Sequence, residues 1–421
     1  MLKGMTLSFE KKLSAKLGDF IGKKLLVAFS GGKDSVSLLH FLKKNEGINS
    51  YRVHACHVNH LFRKTSYWDE KFCRDICEKM AIPFVSVRAD VPRYCEVKKL
   101  SFEHGARIVR YRALKSAMVN FNADVILTAH TKNDVVETFF IHSVQGSSVF
   151  SLKGIAEQDG LVQRPMLNIS TDEIYEYLDK YKIKFAVDET NADENYMRNF
   201  IRNNITNALS EFRPGFENNI LGIMNDSVKL DKYIGDKLKP LIDTSDSSVL
   251  SIKREVFDSL QEIEKDYLLH FMCAKVFRVE RRHIEEMSGL VESDYSVRID
   301  LPDGYRFEKS ETLLRLFHKR QVDKFELKKS AGVSNLKIPH IGKELSFSGE
   351  WPEKELTVRN RRVGDRLKSK KLKDIFINKK LDLFVRDSSL IILYDNCIVW
   401  VENISHDDTI TLSVNRKNLE L

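Results

Sequence analysis

The chain has 421 residues, of which 42% are hydrophobic and 30% charged, with a formal charge of +8. That length exceeds one core and sets an expectation of two or three domains, while the composition excludes disordered and fibrous classes. No run approaches the roughly 18 apolar residues of a membrane span, the N-terminal stretch is polar, and the six cysteines lack a disulfide spacing, so no membrane association and a cytoplasmic location are expected.

Along the first two hundred residues, Lys24 to Phe29, Val53 to Val58, Pro83 to Val87 and Val125 to Thr128 read as short buried strands. Ser35 to Lys44, Tyr67 to Met80, Phe102 to Asn120, Thr131 to His142 and Thr171 to Tyr181 read as helices. Strands alternating with helices imply an α/β domain with a parallel sheet, over about residues 1–204. Ligands bind such sheets outside the carboxyl ends of the strands.

From about Asn204 the alternation stops, and residues 205–290 are mostly helical in pattern, Glu255 to Val276 among them. Ser296 to Leu301 and Tyr305 to Phe317 flank Pro302-Asp303-Gly304, a hairpin signal that closes a mostly helical second domain, 205–320. A polar stretch, roughly 319–335, reads as a linker. The remainder, 335–421, holds short strands such as Leu390 to Leu393 and Cys397 to Val401 and reads as a small α+β C-terminal domain.

Ser30-Gly31-Gly32-Lys33-Asp34-Ser35 lies between the first strand and the first helix. Two glycines permit positive φ and close approach of backbone amides to a ligand, and a helix N-terminus adds donors and a favourable dipole for an anion. Ser30 and Ser35 can donate to phosphate oxygens, and Asp34 can hold Mg²⁺ against them. The spacing of a P-loop NTPase is absent. The run resembles the SGGxDS signature of the N-type ATP pyrophosphatases, which implies a Rossmann-like domain that cleaves ATP between its α and β phosphates and adenylates an oxygen.

Further motifs follow the later strands. His57-Val58-Asn59-His60 comes after the second, with Arg63, Ser66 and Asp69 beyond it. Glu103, Arg107, Arg110 and Tyr111 share one helix face, where charge pattern alone favours a Glu103–Arg107 ion pair. His130, Asp134 and Glu137 share another face after Thr128-Ala129, and clustered carboxylates at a strand end suit Mg²⁺ or an ammonium group. Arg164-Pro165, Asp188-Glu189-Thr190-Asn191 and the i,i+4 pair Arg198 and Arg202 complete the series; two such arginines can clamp phosphates.

Taken in order, these motifs resemble tRNA(Ile)-lysidine synthetase. Leu301-Pro302-Asp303-Gly304-Tyr305-Arg306 and the segment Val358 to Arg366 extend the resemblance beyond the first domain. It implies ATP and Mg²⁺ as cofactors, with isoleucine tRNA bearing a CAU anticodon and free lysine as partners, and it leaves room for a homodimer. By the same resemblance Ser30, Gly31, Gly32, Lys33, Asp34, Ser35, His57 and His130 bind ATP, and Asp34 and Asp134 hold the metal. Asp34, Arg107, Asp134 and Glu137 serve catalysis, Glu137 being a candidate base for the lysine amine. Glu103, Arg110, Arg198, Arg202, Arg361, Arg362 and Arg366 bind substrate. One position departs: the family usually carries two adjacent aspartates where this chain has Asn133-Asp134.

Between Arg359 and Lys380 stand ten basic residues against Asp365 and Asp374, a local +8 equal to the charge of the whole chain. Such concentration fits an electrostatic footprint for a phosphate backbone, and with Phe376 as its one aromatic the segment suits a folded RNA rather than stacked single strands. Two alternatives stay open on sequence grounds. A tRNA thiolase of the same superfamily would need cluster-binding cysteines, and an RNA-binding protein with an inactive nucleotide site would show no tRNA-dependent ATP–pyrophosphate exchange.

Overall fold

A computed structural model of the chain describes residues 6–62, 66–186, 197–246, 248–277, 279–330, 335–338, 343–349, 355–404 and 410–416. The chain divides into two units, Met1–Gln145 with Ser151–Val228, and Gly146–Phe150 with Lys229–Leu421.

In the first unit the order is α1 (Ser8–Ser14), β1 (Lys24–Ala28), α2 (Lys33–Asn49), β2 (Arg52–Asn59), α3 (Ser66–Lys79), β3 (Phe84–Arg88), α4 (Val91–Lys98), α5 (Phe102–Phe121), β4 (Val125–Leu127) and α6 (Lys132–Val144). Then come β5 (Gln158–Asp159), β6 (Val162–Gln163), α7 (Thr171–Lys180), α8 (Met197–Phe200), α9 (Asn207–Phe212) and α10 (Phe216–Leu238), the last running on into the second unit. The sheet order is β3-β2-β1-β4-β6-β5, parallel except for β5.

Leu25, Leu26 and Val27 of β1 are fully buried, as a strand covered on both faces requires. Because side chains alternate, Leu25 and Val27 join one core with Phe9, Leu38, Leu39 and Tyr177, while Leu26 joins another with Leu114 and Ala117 of α5. Helices therefore cover both faces. The chain leaves β1 for β2 on one side and reaches β4 on the other, so a crevice opens at the carboxyl end of β1.

The second unit carries β7 (Asp243–Asp246), β8 (Val249–Lys253), α11 (Arg254–Asp258), α12 (Glu262–Ala274), α13 (Arg281–Val291), β9 (Val297–Asp300), β10 (Tyr305–Lys309) and β11 (Leu313–His318). Its strands form a five-stranded antiparallel sheet, β7-β8-β11-β10-β9. Next come β12 (Glu326–Lys329), β13 (Asn335–Ile338), β14 (Lys343–Gly349), β15 (Leu356–Asn360), β16 (Arg366–Leu367), β17 (Lys370–Lys371), α14 (Leu372–Asn378), α15 (Leu383–Ser388), β18 (Leu390–Tyr394), β19 (Cys397–Val401) and β20 (Ile410–Arg416). They make sheets β12-β15-β18-β19 and β13-β14-β20 and a small hairpin, β16-β17.

Three local expectations differ from the structure. The helix read over Glu255 to Val276 is two helices, since Gln261 starts α12 in a capping box with Glu264. Tyr305 to Phe317 is two strands, because the Ser310 hydroxyl and amide close a tight turn onto Leu313. The polar stretch 319–335 contains β12, which pairs with β15 and brings Leu327 and Phe325 against an apolar core. Among the described residues no helix is long and apolar enough to cross a membrane.

Candidate active site

Of the residues singled out in the first unit, Ser30 to Ser35 follow β1, His57 lies near the end of β2, and His130, Asp134 and Glu137 follow β4. Gly31, directly beyond β1, has φ of 88°, and a Cβ there would meet Cys73 Sγ at 3.0 Å and Phe72 Cδ1 at 3.3 Å. Only glycine fits. The Gly31 amide donates to Ser35 Oγ at 3.1 Å, the Gly32 amide to Ser30 Oγ at 3.3 Å, and the two hydroxyls are 3.1 Å apart. These serines shape the loop and stand among its amides, where α2 begins. The Ala186 amide donates to the Gly31 carbonyl at 2.9 Å and ties the chain after α7 to the loop.

Asp34 pairs with Lys33 at 2.7 Å. Burial pushes its carboxyl above the ordinary aspartate value, Lys33 opposes this, and Asp134 nearby adds to it. Asp134 sits in the first turn of α6, where its Oδ2 accepts from the Thr131 amide at 2.8 Å and the Thr131 hydroxyl at 2.9 Å. That capping fixes the carboxylate and leaves Oδ1 facing Arg198 Nη1 at 3.9 Å.

Glu137, one turn further along α6, is 1% exposed. Arg202 grips it with Nε to Oε1 at 2.6 Å and Nη2 to Oε2 at 3.1 Å, and Arg198 Nε stands 3.8 Å from Oε2. Burial pushes the Glu137 carboxyl up while Arg202 pulls it down. Arg202 lies in a π-helical turn, Ile201–Thr206, that directly continues α8. Each Glu137 oxygen thus accepts one hydrogen bond from a single guanidinium and keeps a second lone pair.

His130 follows β4 with Nδ1 2.8 Å from the Thr128 hydroxyl. Burial first, then Arg110, Arg164 and Arg198, lower it to about 4 against the pull of Asp134, so the ring is neutral at pH 7. His57 is 6% exposed, and its Nδ1 donates to the Phe29 carbonyl at 2.9 Å. Burial keeps it neutral too, and that bond holds the end of β1 in place. Asn59 of the same motif accepts from the Leu61 amide and donates to Ser66 and Glu70, organising the turn after β2.

On α5 the structure separates what the charge pattern joined. Among the described residues no ion pair links Glu103 to Arg107. Glu103 is exposed, while the Arg107 and Arg110 guanidinium carbons lie 5.0 Å and 5.4 Å from the Tyr111 ring centroid. Gly105 lets α5 sit on α4, since a Cβ there would fall 2.2 Å from Cys95 Sγ. Arg164, which sequence reasoning quoted without giving it a role, is 4% exposed and lies near Tyr111 and His130. The Asp188 to Asn191 motif and Arg63 fall outside the described residues.

The second unit holds the basic segment. Arg359 is buried and paired with Asp365 through both terminal nitrogens, and Arg361 reaches Asp387 at 3.2 Å. The other eight cations are exposed: Arg362, Arg366, Lys368, Lys370, Lys371, Lys373, Lys379 and Lys380. Phe376 is fully buried, so no aromatic of this segment is free to stack on bases.

The cysteines are unpaired, and all except Cys397 are buried. Burial pushes the Cys56 and Cys77 thiols up to about 12 and raises Cys73 as well, as apolar surroundings do for a core thiol. Among the described residues no group of three or more His, Cys, Asp or Glu side chains is set to hold a metal. Asp34 and Asp134 are a pair of hard oxygen donors, which fits Mg²⁺ when phosphate oxygens supply further ligands.

A family model described as the PP-loop domain matches residues 5–209, and one described as the TilS substrate C-terminal domain matches residues 356–421. The chain is 29% identical to a tRNA(Ile)-lysidine synthase of Pseudothermotoga lettingae, over 92% of this chain and 88% of that protein. Proteins of the same description from Clostridium tetani (27% identity, 94% and 93% covered) and Clostridium acetobutylicum (26%, 100% and 98%) are similar end to end. With the loop, the flanking motifs and both family models standing in order along one sequence, the chain belongs to the tRNA(Ile)-lysidine synthase family.

Proposed function

We infer that this chain joins lysine to carbon 2 of the wobble cytidine in isoleucine tRNA with a CAU anticodon, converting ATP to AMP and pyrophosphate. The observation that carries this is the loop at the crevice beyond β1, facing the Asp34, Asp134 and Glu137 group, in one chain with a C-terminal domain of the lysidine synthase type.

The cytidine O2 attacks the α-phosphorus of ATP and expels pyrophosphate. The lysine amine then forms a bond to carbon 2, the carbon–oxygen bond breaks, and its electron pair leaves with AMP while the amine gives up a proton to water. Adenylation serves because a carbonyl-type oxygen leaves poorly and AMP leaves well. The Gly31 and Gly32 amides, the N-terminus of α2 and the Ser30 and Ser35 hydroxyls are suited to charge developing on pyrophosphate. Asp34 and Asp134 would hold Mg²⁺, which supplies charge neutralisation at the phosphates. Glu137 keeps Arg202 and Arg198 in place beside them. The exposed cations between Arg362 and Lys380 take the RNA backbone.

The test is incubation with CAU-anticodon isoleucine tRNA, ATP and labelled lysine, with the elongator methionine tRNA as competitor. Label entering the isoleucine tRNA alone, with one AMP per lysine, is the expected result. No transfer of label and no tRNA-dependent ATP–pyrophosphate exchange would overturn the assignment.

A further inference from the structure

Four aromatic rings stand beyond the carboxyl end of β2, in two pairs. Tyr67 and Trp68, in the first turn of α3, are exposed, Trp68 by 62%, with ring centroids 5.5 Å apart and planes at 76°. Phe62, just after β2, is 49% exposed and its centroid lies 4.3 Å from that of the half-buried Phe102, which opens α5. One side chain ties both stretches of chain to the end of β2. Asn59 accepts from the Leu61 amide at 3.0 Å and donates to the Ser66 carbonyl at 3.1 Å. Trp68 is also one turn of α3, about 6 Å, from Phe72, whose ring is among the groups that leave Gly31 no room for a side chain. The exposed rings thus lie beside the phosphate loop.

Large apolar side chains clustered in solvent mark a surface that something covers. Charge narrows the choice. Lys71 Nζ stands 5.6 Å from the Trp68 ring centroid, and the exposed Arg74 and Arg88 share the buried Glu70. With half-buried Asp69 counted, three cations there meet two acids. Aromatic faces set among cations suit a single-stranded nucleic acid, whose bases stack on the rings while its phosphates meet the charge. The chemistry asks for the same partner. Cytosine O2 accepts a hydrogen bond in a Watson–Crick pair, so the O2 that attacks ATP belongs to an unpaired base. Turning that base into the crevice also takes it off its neighbours, which then need another surface to stack on.

We propose that Trp68 and Phe62 form a stacking platform for the unpaired bases that adjoin the target cytidine. The proposal rests on the lysidine-forming reading and adds to it a part of the site that meets base planes instead of hydrogen-bonding edges. Such a platform holds the RNA loop open without choosing its sequence, since every base has a π-face. The basic segment of the second unit does not supply this, because Phe376 is buried.

The full chain is compared as wild type, Trp68→Ala, Trp68→Phe and Phe62→Ala, each beside a melting curve. Three ligands are titrated: the CAU-anticodon isoleucine tRNA, the same tRNA with abasic sites on both sides of the wobble cytidine, and an α,β-methylene ATP analogue without RNA. Trp68→Ala should bind intact tRNA about tenfold more weakly, the size of one stacked base, while its Kd for the analogue holds. Trp68→Phe should recover most of the loss. The abasic tRNA should bind wild type about tenfold more weakly than intact tRNA, and Trp68→Ala no more weakly than wild type. Unchanged affinity of both alanine variants for intact tRNA would overturn the platform. So would equal losses in Trp68→Ala for intact and abasic tRNA, since the ring would then act through the fold or the RNA backbone. A dimer lost in Trp68→Ala by sedimentation, with tRNA affinity unchanged, would overturn it in favour of a second copy. Labelled-lysine transfer by the wild-type chain is read separately. Transfer with unchanged tRNA affinity in both alanine variants removes the platform alone, whereas the expected pattern of affinities without transfer removes the reaction and leaves the platform.

Discussion

Arginine does two different jobs in the two units. Around α6 and α8 the guanidinium groups are engaged at short range, as Arg202 is by Glu137 at 2.6 Å and 3.1 Å, and the acid they meet is buried. Between Arg362 and Lys380 the cations stand in solvent, and Arg362 pairs with the exposed Glu326. Buried pairs depend on geometry and cannot lose one member cheaply. Exposed cations act through summed charge, are screened by salt and matter little one at a time. The first unit should therefore be sensitive to single substitutions and to pH, and the second to the number of cations and to ionic strength.

The largest effect should come from Asp34→Asn. ATP–pyrophosphate exchange should fall by about a hundredfold or more, in line with loss of one preorganised electrostatic contact at a reacting phosphate. The melting temperature should hold, since burial already disfavours the charged form of this side chain. A variant that exchanges normally would remove Asp34 from the chemistry.

Arg202→Ala should cost about 2 kcal/mol in urea denaturation, because it removes both hydrogen bonds to the buried Glu137 carboxylate and leaves it only the more distant Arg198. Glu137→Gln combined with Arg202→Met should recover most of that loss. Strictly additive costs would mean that the two residues are not coupled.

Glu10 gives the pH arm. It accepts from Tyr181 at 2.6 Å, Lys180 at 2.9 Å and Lys44 at 3.0 Å; burial pushes its carboxyl up, but these bonds prevail and hold it at about 2. A depressed carboxyl contributes stability that is complete above the unfolded value of 4.5 and is lost as pH falls towards about 2. Glu10→Gln should cost about 2 kcal/mol at pH 7 and flatten the decline in that window, as followed by denaturation at each pH. Equal pH profiles for variant and wild type would deny Glu10 this role.

The smallest single effects belong to Lys370→Ser, Lys371→Ser and Lys373→Ser. Each should lower the slope of log Kd against log salt for tRNA by about 1, leaving the rate at saturating tRNA unchanged. Slopes that do not move would exclude these side chains from the backbone contact.

The parallel sheet and its crevice were legible because buried strands and amphipathic helices differ in period, and the phosphate loop because two glycines and two serines at a strand–helix junction have few other uses. The α6 carboxylates were legible as a helix face. What could not be read was how Glu137 is spent: Asp134 gives one oxygen to Thr131 in a local cap, whereas Glu137 gives both to Arg202, which lies 65 residues downstream. The Glu103–Arg107 pairing failed for the converse reason, since i,i+4 spacing permits a contact that Tyr111 takes instead. Arg164 was visible beside its proline, but its burial depends on a two-residue strand, β6, too short to carry a sequence period. The break before α12 and the turn after β10 rest on single capping and hydroxyl bonds, which hydrophobic spacing does not report.

The burial of five of the six cysteines has a practical consequence. Cys397, at the start of β19, is the sole exposed thiol, so a maleimide dye added to the native protein should attach there and nowhere else. The sequence thus comes with a built-in labelling position in the sheet that includes β15, from which the basic segment emerges. Fluorescence from that one dye would follow tRNA arrival in real time without any engineered residue.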